Sequence, residues 1–175
     1  PKTVRRQRQM CIRDRRWGAC DEALEGRIEH ALRLAIEHSD DANILSTMTC
    51  YELALVLGND ADVRRLNRDY RGRDKPTNVL SFPGGGGGSV HVEGQSIHLG
   101  DIILGYETVV REALEQKKPL AHHLLHLCVH GCLHLLGYDH IRDEDAEIME
   151  NLERQILKTL GISDPYADMK QVEHS

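Results

Sequence analysis

Apolar positions along this chain follow two different periods. Over residues 21–38, Leu24, Ile28, Ala31, Leu32, Ala35 and Ile36 recur at steps of three and four. That spacing stacks them on one face of a helix and leaves the other face polar, with Asp21 placed to cap it. Residues 39–43 are a polar linker. The run YELALVL at 51–57 is short and apolar and leads into Gly58-Asn59-Asp60, so it reads as a buried strand closed by a turn. Asp60 can then cap a helix through Tyr70 that turns Val63 and Leu66 inward. In DKPTNVLSFP, Pro76 bars helix continuation and Pro83 ends a strand over 79–82. Residues 102–104 read as another buried strand. Helices are predicted over 107–117, stopped by Pro119, over 119–136, long and apolar, and over 143–160, amphipathic and closed by Gly161.

Two stretches show neither period. The glycines at 84–88 lack the Lys-Ser/Thr pair of a phosphate loop, so with residues 89–96 they read as a flexible connection. Residues 1–16 read as a solvated basic arm. Strands interleaved with helices, without internal repeats, predict an α+β fold: a single domain over 17–166 with a small mixed β-sheet packed against helices, followed by a tail at 167–175.

Composition sharpens this picture. Of 175 residues 40% are apolar but only 5 Tyr, 1 Trp and 1 Phe are aromatic, so aliphatic side chains must build the core. No uncharged apolar run reaches the ~18 residues of a membrane span, and the N-terminal stretch has no apolar h-region, so neither membrane nor secretory routing is expected. Five scattered cysteines make an unpromising disulfide framework, and a reducing cytoplasm is the expected home. The net charge of −6 is uneven: residues 1–16 carry seven Lys and Arg against Asp14 alone, a local +6, which leaves −12 for the remainder. An acidic body does not bind polyanions indiscriminately, so any nucleic-acid contact needs a local basic patch. For the arm itself a flexible tail, a nucleic-acid arm and sequence foreign to the domain all remain open.

Candidate chemistry concentrates in HGCLHLLGYDH, which spaces His130, His134 and His140 as H-x3-H-x5-H. Residues four apart share a helix face, so His130 and His134 can ligate one ion. Gly137 is suited to a helix stop with positive φ, after which Tyr138 and Asp139 can bring His140 to the same point. Three protein ligands and an open position are the pattern of a catalytic zinc site. Cys128 and Cys132 point away from this face and are expected in the core. His122, His123 and His126 are read as helix decoration. Zinc peptidases place a glutamate base in H-E-x-x-H; that position is Gly131, which argues against peptide hydrolysis.

Together with LNRDYRGRDKPTNVLSFP (66–83) and LGDIILGYETVVREA (99–113), this run closely resembles the YbeY family of metal-dependent endoribonucleases acting in ribosomal RNA maturation. The resemblance extends over about 17–166, including EDAEIME and the LGISDPY ending. It implies one zinc ion held by His130, His134 and His140, cleavage of single-stranded RNA with Arg71 as catalytic residue, and work in small-subunit rRNA 3′-end maturation and ribosome quality control. The implied partners are single-stranded or ribosomal RNA and the small ribosomal subunit or its assembly factors, in the cytoplasm and without a membrane. The chain departs from the family in its Arg-rich start, where a strand is usual, and in its long glycine run.

Residues 64–75 supply the required cations. Arg64, Arg65, Arg68, Arg71, Arg73 and Lys75 face only Asp69 and Asp74, a local +4, and Arg64, Arg68 and Arg71 share a helix face that can follow a phosphate backbone. An arginine fork stays charged while negative charge builds on a phosphate. Arg73 and Lys75 extend the expected RNA contact. Asp139 either orients a ligand imidazole from outside or caps its turn. The acids of the last helix, Glu153 included, are read as dipole complement and solubilising charge. Two other functions compete: a non-catalytic, zinc-stabilised RNA-binding assembly factor, and a metallopeptidase.

Overall fold

The structure, a computed structural model, describes residues 7–12, 14–19, 23–39, 50–84 and 96–167. In chain order these form β1 (Gln7–Ile12), a 3-10 turn (Arg15–Ala19), α1 (Leu24–His38), β2 (Cys50–Gly58), α2 (Asp60–Arg71), β3 (Val79–Pro83), β4 (Ser96–Gly105), α3 (Tyr106–Glu115), α4 (Leu120–Leu135) and α5 (Asp143–Thr159). The sheet order is β1-β2-β4-β3. β1, β2 and β4 run parallel, and β3 is antiparallel to β4, which is the mixed sheet of an α+β fold.

β1 corrects the reading of residues 1–16 as an unstructured arm. Gln7 through Ile12 pair in register with Glu52 through Leu57. An edge strand is held by its backbone ladder, and QRQMCI shows no apolar alternation to detect. Asp21, the expected cap of α1, and the glycines at 85–88 lie outside the described residues. β4 is also longer than the three residues expected. Its outer half crosses β2 at a register shift between Glu52 and Leu53, where Gly100 has φ 137° and a side chain would meet the Phe82 carbonyl at 2.3 Å.

Alternate residues of β4 bury both faces of the sheet. Ile102 and Leu104 join Leu55, Leu57 and the apolar sides of α1, α4 and α5, whereas Ile103 packs with Leu80 and Val63 under α2. Leu124, Leu125, Val129 and Leu133 of α4 are fully buried or nearly so, each contributing roughly 1.5–3 kcal/mol. Gly131 lets this helix lie close on the sheet: an added Cβ would stand 3.0 Å from Ser81 Oγ and 3.1 Å from Ile102. The glutamate of the peptidase motif therefore has no room at this position.

The helix starts are interlocked. Asn59, not Asp60, caps α2, its Oδ1 accepting the Asp62 N–H at 2.9 Å. Asp60 instead reaches across to α3, where its carboxylate accepts the Thr108 N–H at 3.0 Å and the Thr108 hydroxyl at 2.7 Å. Glu107 of α3 returns the favour to the Asp60 N–H at 2.8 Å. Each helix thus satisfies donors that the other's first turn would leave unpaired.

Candidate metal centre

The centre is built from the end of α4. His130 and His134 lie one turn apart on its less buried side, and the helix then stops. The Tyr138 N–H bonds back to Leu133 O at 3.0 Å while Gly137 takes φ 93°; this is the reversal that a glycine after a helix permits. The chain returns at once, and Asp139 fixes the reversal by accepting the His140 N–H at 2.6 Å. One ring nitrogen from each of His130, His134 and His140 lies within 4.8 Å of the other two. Cys128 and Cys132 are fully buried in the core, as their helical positions predict, and burial pushes the Cys128 thiol up and keeps it protonated.

Hydrogen bonds on the far side of two rings set their tautomers. His130 Nδ1 is 2.7 Å from Glu153 Oε1, and His134 Nδ1 is 3.0 Å from the Tyr138 carbonyl. Both acceptors take an N–H, so in the neutral form of each ring Nε2 is the lone-pair donor. These two Nε2 atoms face one another at 3.1 Å, close to the ~3.3 Å edge expected between tetrahedral ligands ~2.0–2.1 Å from zinc. Facing lone pairs repel unless a cation or proton lies between them. Burial, followed by electrostatic interaction with the adjacent His130 ring, pulls His134 below its ordinary value, against the opposing hydrogen bond to Tyr138, and this favours the neutral ligand form. The donor set fits a divalent ion, and zinc in particular.

Glu153 corrects its sequence reading as solubilising charge. It is 0% exposed and holds His126 Nε2 at 2.8 Å as well as His130, and the Tyr166 hydroxyl donates to it. Burial would raise its carboxyl, but the hydrogen bonds and charges of His126 and His130 prevail and bring it down to about 2. Burial, then the Glu153 charge, raises the Tyr166 phenol. His126 is therefore part of the support beneath the ligands. His123 is likewise no decoration: it is buried with Nε2 2.8 Å from Glu112. The available signal for Glu153 was its place in the apolar stripe of Met149, Ile156 and Leu157. Asp139 caps the turn, and it is Glu153 that contacts a ligand imidazole.

The arginines divide into two groups. Arg64 pairs with Asp74 at 2.8 and 2.9 Å, and Arg68 Nε with Asp69 at 2.9 Å, so two charges of the expected strip are engaged locally. Arg71 and Arg73 line a cavity of about 650 Å3 together with His130, His134 and His140. The Arg71 guanidinium is steadied by donating from Nη2 to the Ser81 carbonyl at 2.9 Å, with Cζ 5.6 Å from the Phe82 ring centre. Lys75 is exposed beyond this cavity, in a loop anchored by Asn67 Nδ2 on the Lys75 carbonyl at 2.8 Å.

The family model described as Endoribonuclease YbeY matches residues 13–161. Similar proteins named Endoribonuclease YbeY occur in Bradyrhizobium diazoefficiens, 52% identical over 82% of this chain and 76% of the relative, and in Chelativorans sp., 48% identical over 86% of this chain and 87% of the relative. The solution structure of TM1509 from Thermotoga maritima shares the fold, with TM-score 0.54 at 21% identity over 97% of each chain. With the family model covering β2, β3 and β4, the arginine-bearing helix and the convergent histidines, the chain belongs to the Endoribonuclease YbeY family.

Proposed function

We propose that this protein is a zinc-dependent endoribonuclease that cuts single-stranded RNA, acting in maturation of the 3′ end of small-subunit ribosomal RNA and in ribosome quality control. The convergence of His130, His134 and His140 on one point, inside a cavity that also holds Arg71 and Arg73, is the observation that carries this reading. Its expected surroundings are the cytoplasm and the small ribosomal subunit or its assembly factors. Among the described residues no helix is long and apolar enough to cross a membrane.

Each group has a physical part. His130, His134 and His140 would hold a divalent ion, which would supply Lewis acidity toward a phosphoryl oxygen or a water. Arg71, its fork steadied by Ser81, holds phosphate oxygens and offsets the charge that accumulates as the phosphodiester is attacked. Arg73 adds charge at the same cavity. Arg64, Arg68 and Lys75, more distant and partly neutralised, hold the RNA backbone weakly, in keeping with the modest value of exposed pairs. Asp139 keeps the turn that delivers His140, and Glu153 keeps His130 in its ligand tautomer.

The test is cleavage of single-stranded RNA by purified, zinc-loaded protein. Arg71→Ala is expected to lower kcat by roughly 100-fold or more with zinc content and melting unchanged, and His134→Ala to lose both zinc and cleavage. RNA binding without cleavage in the wild type would support a non-catalytic assembly factor instead. Chelator-sensitive digestion of casein would support a peptidase.

A further inference from the structure

A second cavity, of about 600 Å3, adjoins the triad cavity. It extends from His130 toward α3 and includes Glu112, Gln116, His126, Leu127 and Tyr166. Asn78, Val79 and His130 line both cavities, so the two form one trough with a ligand histidine at the junction. Their charges are opposed. Arg71 and Arg73 outnumber Asp139 in the triad cavity, whereas Glu112 and Glu115 outnumber Lys118 in its neighbour, and the Lys118 ammonium is occupied by the Pro165 carbonyl at 3.1 Å. A phosphate is drawn to the first and repelled by the second.

The second cavity suits the uncharged part of a nucleotide. The rings of Tyr166 and His126, with Leu127 and Val79, give aromatic and apolar walls against which a base can pack, and Gln116 offers an amide group. Its volume lies in the range of small-molecule sites. The floor is preformed: Asn78 Nδ2 donates to Glu112 at 3.0 and 3.2 Å, its Oδ1 accepts the Val79 N–H at 2.7 Å, and His123 holds Glu112 from the other side.

The geometry points to a base pocket: this cavity receives the unpaired base and ribose of a nucleotide flanking the scissile phosphate, an assignment that rests on the triad cavity being the site of RNA cleavage. A base within a duplex is stacked and paired and enters only by leaving the helix. Preference for single-stranded RNA then follows from the shape of the trough and needs no separate sensor.

The experiment compares a single-stranded RNA cut at one mapped bond with the same RNA carrying an abasic ribose at either flanking nucleotide or several positions away. For zinc-loaded wild type, kcat/KM should fall about tenfold or more at one flanking position and stay unchanged at the remote one. Gln116→Trp, at an exposed position at the end of α3, should fill the pocket mouth. It should slow the intact RNA to about the abasic rate and erase the difference between the two. Equal cleavage of intact and flanking-abasic RNA by wild type would overturn the pocket while leaving the cleavage reading in place. No cleavage of any RNA would overturn both, and the abasic comparison needs no variant to fold.

Discussion

At the residue scale, buried polar groups distinguish a metal centre from a row of histidines on a helix. His130 and His134 were legible because helical spacing alone puts them together, and Gly137 marks the turn that returns His140. Glu153 was not legible as their support. It follows Asp143, Glu144, Asp145, Glu147 and Glu150, and in such a run one inward-facing acid looks like the rest until the apolar stripe is drawn through it. Its removal tests its part. Glu153→Ala is expected to weaken zinc binding by about 10–100-fold, measured by competition with a chromophoric chelator. Glu153→Gln, which keeps the shape and one acceptor, should recover part of that affinity. Unchanged affinity in both variants would show that His130 is oriented without the carboxylate.

At the scale of elements, helix ends were harder to place than helix bodies. The periods of α1, α2, α4 and α5 give their positions to within a few residues, but the choice between Asn59 and Asp60 as the cap of α2 depends on α3, which lies 47 residues further on for the contact of Asp60 with Glu107. Local sequence holds no record of such a partner. Asp60→Ala should therefore destabilise the fold by about 1 kcal/mol or more, the ordinary loss for a cap, read as a lower urea midpoint with unchanged slope. Glu107 adds a pH dependence. Burial raises its carboxyl, but Arg16 and the Asp60 N–H outweigh this and leave it below the ordinary 4.5. A carboxylate lowered on folding contributes fully above about pH 4.5 and loses its contribution as pH falls through the folded value. Glu107→Gln should flatten this acid limb of the stability profile in urea titrations from pH 6 to 3; an unchanged limb would remove Glu107 from its causes.

For the whole molecule, the three imidazoles and the core are separable. α4 is secured by Leu124, Leu125, Val129 and Leu133 against the sheet and α1, and none of these contacts passes through the three imidazoles. Chelation is expected to abolish RNA cleavage while leaving far-UV circular dichroism and a cooperative urea transition. Loss of that transition would mean that the ion holds the fold, as a purely structural zinc would. The α+β class was legible from alternating periods, whereas β1 was not: its sequence QRQMCI has no period of two, and its backbone ladder is made with the edge that β2 offers. The buried link from Tyr166 through Glu153 to His130 also has a consequence for biosynthesis. A polypeptide is made in one direction and folds as it emerges, so the ligand histidines leave the ribosome ahead of the carboxylate and phenol that hold them. A nascent chain halted before α5 has all three imidazoles and no means of fixing the tautomer of the first.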